Sequence, residues 1–182
     1  MRSLLLMMLL FASGFGHTNI TNAFALGPPQ SETDIQSIRQ GYAAINRKQA
    51  RYRKVKKDLS GFSAEGGVLT AYFEGQNIVK MLATYYGEMG RTNEEFYYRD
   101  GKLIFVLRTE LNYNRPLSGK VVSRKVSRFY FHDDKLIRWI DESGKTMASD
   151  SAEYQEQQKD NLETSNKLID GARSSNKTIE SS

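Results

Sequence analysis

Phe96-Tyr97-Tyr98-Arg99-Asp100-Gly101-Lys102-Leu103-Ile104 returns thirty-three residues later as Phe129-Tyr130-Phe131-His132-Asp133-Asp134-Lys135-Leu136-Ile137. Six of the nine positions are identical. Each copy reads as a strand, a tight turn and a second strand. Asp100-Gly101 suits a type I′ turn, whose two central residues both need positive φ. Tyr72-Phe73-Glu74-Gly75 resembles a worn third copy. The chain is therefore organised around a repeated β-hairpin.

Short runs rich in aromatic and β-branched residues extend outward from these hairpins. They predict strands over Val68–Phe73, Ile78–Tyr86, Thr92–Tyr98, Leu103–Tyr113, Lys120–Phe131 and Leu136–Ile140. No long crossover separates them, so an antiparallel six-stranded β-meander over 68–140 is the expected topology. With plain two-residue turns, Phe96 falls opposite Phe105 and Arg128 opposite Trp139. Side chains alternate between faces. One face then carries Phe96, Tyr98, Leu103, Phe105, Leu107, Phe129, Phe131 and Leu136, and forms the core. The other carries Glu95, Tyr97, Ile104, Val106, Arg108, Arg128, Tyr130, Ile137 and Trp139.

Before the sheet, Ser31 can cap a helix. Apolar residues recur at Ile35, Ile38, Tyr42, Ile45, Tyr52, Val55 and Leu59, which predicts one long helix over 31–59 packed on the core face. Its second half is basic, with Arg47, Lys48, Arg51 and Lys54 as a candidate anion-binding set, or as cations favoured near a helix C-terminus. After the sheet, Asp150 can cap a looser helix over 150–170, with Gly171 as its stop. Residues 172–182 are polar and read as a disordered tail. The fold class is α+β, in a single domain over 26–171.

The first residues read as an export signal. Met1-Arg2-Ser3 is positive, Leu4 to Phe11 is apolar, and Ala23-Phe24-Ala25 matches the small-x-small cleavage pattern. A membrane anchor needs about 20 apolar residues, and Gly14, Gly16, His17 and Asn19 interrupt earlier. A signal peptide over 1–25 implies a periplasmic or secreted protein with no transmembrane segment in the mature chain. No cysteine is present, so disulfide and thiolate chemistry are excluded. Secreted domains without disulfides point to a bacterial envelope. The net charge of +5 is too small to argue for nucleic acid.

Catalytic patterns are missing. Past the signal, His132 is the one remaining histidine, which with no cysteine argues against zinc. There is no Gly-x-Ser-x-Gly elbow and no Gly-rich phosphate or dinucleotide loop. Ser174-Ser175-Asn176-Lys177 matches Ser-x-x-Lys without its partner motifs. Glu94 and Glu95 are adjacent on a strand and point to opposite faces, so they cannot serve one substrate together. No cofactor is implied.

The Tyr-Tyr-x-Asp-Gly-Lys-Leu-Ile pattern resembles the hairpin unit of MORN-variant repeat proteins, over residues 96–137, with longer spacing and Asp134 in place of the turn glycine. The signal and flanking helices are similar in style to small bacterial periplasmic proteins. The resemblance implies recognition rather than catalysis. The expected function is a non-enzymatic envelope protein, an inhibitor or accessory module. Its expected contact face is Glu95, Tyr97, Arg108, Arg128, Tyr130 and Trp139. The alternative is a binder of anionic lipid or a small ligand through Arg47, Lys48, Arg51 and Lys54.

Overall fold

The structure, a computed structural model, describes residues 30–181. The signal read at 1–25 lies outside them. Two helices flank one sheet: α1 (Gln30–Lys48) and α2 (Ala152–Arg173). The strands are β1 (Arg53–Ser60), β2 (Gly67–Glu74), β3 (Asn77–Gly87), β4 (Gly90–Arg99), β5 (Lys102–Tyr113), β6 (Val121–His132), β7 (Lys135–Ile140) and β8 (Thr178–Glu180). Their order is β7-β6-β5-β4-β3-β2-β1-β8, antiparallel except for the parallel β1–β8 pair.

The sheet thus has eight strands where six were expected. The first extra strand replaces the second half of the expected long helix. α1 stops at Lys48, a 3-10 turn covers Gln49–Arg51, and β1 follows. In β1 the half-buried Val55 and the buried Lys57 and Leu59 alternate with exposed neighbours, a period of two rather than 3.6. The second extra strand lies in the expected disordered tail. Lys57 Nζ donates to the carbonyls of Ser174 (2.8 Å) and Asn176, and Ile179 buries beside Leu59 and Ala172.

The three hairpins of the repeated motif carry the same irregularity. Tyr98 pairs with Leu103, but Tyr97 pairs with Phe105, which leaves Ile104 as an extra residue. Phe131 pairs with Leu136 and Tyr130 with Arg138, leaving Ile137. Phe73 pairs with Ile78 and Tyr72 with Lys80, leaving Val79. Each extra residue is a β-bulge, and each reverses the inward–outward parity of the strand that follows it. This overturns the expected faces. Phe96 lies opposite Val106, not Phe105, and Trp139 lies opposite Phe129, not Arg128.

One row therefore crosses six strands by direct pairing: Tyr72, Lys80, Tyr97, Phe105, Tyr130 and Arg138. α1 lies along this row rather than on the expected core face. Glu32 is ion-paired to Arg138, Tyr42 meets Tyr97 and Phe105 edge-on, and Asn46 and Gln49 reach Lys80. These contacts recur at helical spacing, with Ile35 and Ile38 filling the gap between them. Gly41 allows the close approach, because a Cβ there would come 3.3 Å from Ile104 Cδ1 and into the Arg99 guanidinium.

The larger core lies on the opposite face, under α2. It joins Phe73, Met81, Phe96, Tyr98, Val106, Phe129, Phe131, Leu136 and Trp139 to Tyr154 and Leu168. Ser151 caps α2, accepting from Tyr154 N–H. Leu136, next to the bulge on the edge strand β7, is held by α2 at both main-chain groups: its N–H donates to Gln158 Oε1 (2.8 Å) and its carbonyl accepts from Tyr154 (3.0 Å). The Tyr98 and Ser165 hydroxyls lie 2.8 Å apart in the same layer.

The turns differ in strain. Asp100 and Gly101 have φ of 52° and 78°, Asp133 and Asp134 of 47° and 58°. Nothing lies within 4 Å of a Cβ built on Gly101, so a side chain there costs backbone strain alone. Gly101→Ala is expected to lower stability by about 1 kcal/mol and Asp134→Gly to raise it by a similar amount. Urea unfolding of both variants checks this, and a destabilised Asp134→Gly would overturn the account of the second turn.

Candidate functional site

The open cleft between α1 and the β5–β6 hairpin measures about 280 Å³ and is lined by Ile38, Arg39, Tyr42, Phe105, Leu107, Arg124, Val126, Arg128 and Tyr130. The parity set by the bulges builds its floor. Phe105 and Tyr130 are paired across β5 and β6 with ring centroids 4.9 Å apart, and Tyr42 stands edge-on to Phe105 at 5.3 Å. Alternation along β6 places Arg124, Val126 and Arg128 on the same side. Arg39 comes from the helix, its guanidinium 5.9 Å from the Tyr130 ring centroid.

Electrostatically the cleft is one-signed. Among the described residues its lining holds three arginines and no carboxylate. Among the described residues none of the three makes a salt bridge within 4 Å, whereas Arg108 and Arg138 do. Among the described residues its hydroxyls are those of Tyr42 and Tyr130. Such a surface can hold an anion on an apolar or aromatic base.

The six residues of the expected contact face are split. Arg128 and Tyr130 line the cleft. Glu95 and Tyr97 share its side of the sheet but are committed to an internal network. Lys80, 5% exposed at its side chain, pairs with Glu95 at 2.6 Å and donates to Asn46 Oδ1 (3.0 Å) and Gln49 Oε1 (2.9 Å). Tyr97 donates to Glu95 Oε2 at 2.6 Å and accepts from Asn46 Nδ2 at 3.1 Å. Burial, and then the bond to the Glu95 carboxylate, push the Tyr97 phenol well above its usual range, so it stays a neutral donor.

Arg108 and Trp139 are on the other face altogether. Arg108 pairs with Glu94 at 2.6 Å and donates to Gln157 Oε1 at 2.9 Å. Its guanidinium sits 5.1 Å from the Phe129 ring centroid. Trp139 is buried, stacked on Phe129 at 5.5 Å, and its Nε1 has no hydrogen-bond partner among the described residues. The expected contact between Arg128 and Trp139 does not form, because Ile137 shifts Trp139 by one place.

The alternative basic set does not share one helix face. Arg47 and Lys48 end α1, Arg51 is in the 3-10 turn, and Lys54 is on β1. Lys48 lies 3.7 Å from Glu74, and Lys54 Nζ is 5.7 Å from the Tyr72 ring centroid. At the hairpin-turn end, His132 lies 3.3 Å from both Asp34 and Asp133 and is half exposed. Among the described residues there is no group of three or more His, Cys, Asp or Glu able to hold a metal ion. Among them, no helix is long and apolar enough to cross a membrane.

Sequence reasoning missed Arg39 and Arg124. Arg124 was signalled by the alternation Val122-Arg124-Val126-Arg128, which puts both arginines on one face of β6. Arg39 flanks the helical stripe next to Ile38, which carries no mark of a site. Comparison with family models, with curated proteins and with solved structures returned no match.

The buried Lys80–Glu95 pair can be tested directly. Glu95→Leu strands a buried ammonium and is expected to cost about 3 kcal/mol, whereas Lys80→Met leaves a partly hydrated carboxylate and costs less. The double variant should recover most of the loss. Additive single costs in urea unfolding would show that the two groups are not coupled.

Proposed function

We propose that this chain is a non-catalytic binding module that is exported to the periplasm or the medium and captures an acidic partner protein. The contact surface is the arginine-rimmed cleft between α1 and β6. The observation that carries this reading is the set of Arg39, Arg124 and Arg128, none in a salt bridge within 4 Å among the described residues, around the Tyr42, Phe105 and Tyr130 floor. Arginine and aromatic residues are the types enriched at protein interfaces. Guanidinium groups bind carboxylates in a bidentate fork. The export part of the reading rests on Met1 to Ala25 and on the lack of cysteine.

A protein partner is favoured over a small ligand by the shape of the site. The cleft is an open trough between α1 and the sheet rather than an enclosed cavity. It also opens onto Val121–Lys125, five consecutive exposed residues of β6.

A labelled pool of acidic twelve-residue peptides, followed by fluorescence anisotropy, is the direct test. The pool should bind in low salt, and Arg124→Glu with Arg128→Glu should weaken it at least about thirtyfold, near 1 kcal/mol for each lost pair. Unchanged binding by the folded double variant would overturn the reading. So would preferential binding to phosphatidylglycerol vesicles that the double variant retains.

A further inference from the structure

β6 is longer than the strand beside it. β7 pairs with it only over Arg128–His132, and β6 begins at Val121. The cause lies just after β7. Asp141 Oδ1 accepts from Ser143 N–H (2.9 Å), Ser143 Oγ (2.7 Å) and Lys145 N–H (2.9 Å). The chain turns back, and Met147 N–H donates to the Trp139 carbonyl at 2.9 Å. The strand that would cover the rest of β6 is thereby diverted onto the outer side of β7.

The outer edge of Val121–Ser127 is left open. Among the described residues only β5 pairs with this stretch. Every second N–H and carbonyl of such an edge points away from its neighbour, unpaired. Seven residues span about 23 Å at ~3.3 Å each, the length of an ordinary strand. The edge is not apolar throughout. On the cleft side Arg124, Val126 and Arg128 alternate cationic and apolar, and Arg39 stands beyond them; Val122, ahead of them, is the extra residue of a bulge opposite Asn112 and Tyr113. Its near end carries exposed Val121 and Val122, and the loop leading into it exposes Leu117.

We infer that the edge of β6 over Val121–Ser127 receives an extended acidic segment of a partner protein as an added strand. This rests on the cleft reading and specifies how the partner is held. Main-chain hydrogen bonds to β6 fix the segment's register, as in other strand-addition complexes. Acidic side chains at alternate positions then point to the cleft face and meet Arg124, Arg128 and Arg39. The side chains between them pass to the other face, beside Ser123, Lys125 and Ser127. Charge complementarity selects the occupant: the edge and cleft carry cations on both faces, and the acids beside them, Glu142 at 3.7 Å from Lys125 and Glu110 opposite it on β5, lie at Lys125 and not among the cleft arginines.

The probe is a ten-residue peptide alternating Glu with Val or Thr, and a copy N-methylated at every second residue. Methylation at the positions whose N–H groups face β6 removes those main-chain donors and leaves the charges in place. Both are titrated against the full chain, with amide hydrogen exchange followed residue by residue. The unmodified peptide should bind and slow exchange at alternate amides within Val121–Ser127. The methylated copy should bind at least about tenfold more weakly, the equivalent of one or more hydrogen bonds. A scrambled peptide with its acids in one block should also bind more weakly. If both copies bind equally and the amides are unprotected, the added strand is overturned while the cleft reading stands, provided the arginine variants still lose binding. If binding survives Arg124→Glu and Arg128→Glu, both fail. No binding of the unmodified peptide at 1 mM overturns the inference and marks the arginines as guards against pairing.

Discussion

One extra residue just after the turn in three of the hairpins governs this structure. A β-strand presents alternate side chains to opposite faces, so an insertion of one residue exchanges the faces of everything downstream until the pairing is reset. Val79, Ile104 and Ile137 make that exchange at the same place in three hairpins. Without them Phe105 would join the larger core and Trp139 would face α1. With them, Tyr72, Lys80, Tyr97, Phe105, Tyr130 and Arg138 line up under α1, and Phe129, Phe131 and Trp139 collect under α2. At the edge strand β7 the outward main-chain groups of Leu136 are both taken up by α2 side chains.

The two helices consequently bind the sheet in different ways. α2 covers a largely apolar layer whose polar contacts, Tyr98 with Ser165 and Arg108 with Gln157, sit between hydrophobic neighbours. α1 covers a row that is half aromatic and partly charged, and its ends are fixed by ion pairs and hydrogen bonds to Arg138 and Lys80. A buried lysine is tolerable only with its donors satisfied, and Glu95, Asn46 and Gln49 satisfy them here. That commitment removes Glu95 and Tyr97 from the surface. It leaves the β5–β6 end of the row, where α1 contributes Arg39 rather than an apolar residue, as the part of this face open to a partner.

Much of this was legible in the amino-acid sequence, and the failures have physical causes. The hairpins could be read because turn chemistry is local: Asp100-Gly101 needs positive φ at both centres, and the aromatic runs beside it alternate. The bulges could not, because Ile104 and Ile137 are ordinary strand residues and nothing in their identity marks an insertion. The error then spread through the parity, which is why Arg108 and Trp139 were assigned to the wrong face while Arg128 and Tyr130 were not. The helix was overrun past Lys48 because Tyr52, Val55 and Leu59 fit a helical stripe. The charge of Lys57 hid the alternation of β1, since its burial depends on carbonyls of the tail far away in sequence. Thr178–Glu180 forms a strand for the same non-local reason, with Ile179 packing on Gly171 and Leu59.

An open strand edge is ordinarily a hazard, because a second copy can pair with it as readily as any partner. The alternation on β6 bears on that choice. Bringing two copies of Val121–Arg128 edge to edge would set Arg124, Lys125 and Arg128 of one against the same cations of the other. Like charges directly opposite destabilise such a pair. Val126 between the arginines and Val121 ahead of them keep the edge apolar enough to hold a strand once its charges are matched. A lysine at each position would also repel a second copy, but an ammonium is a point charge that does not fix the plane of a carboxylate. Arginine does both: it bars self-pairing and orients an acidic side chain against the aromatic floor. Specificity and protection against aggregation then come from the same residues, and the two demands are met without covering the edge.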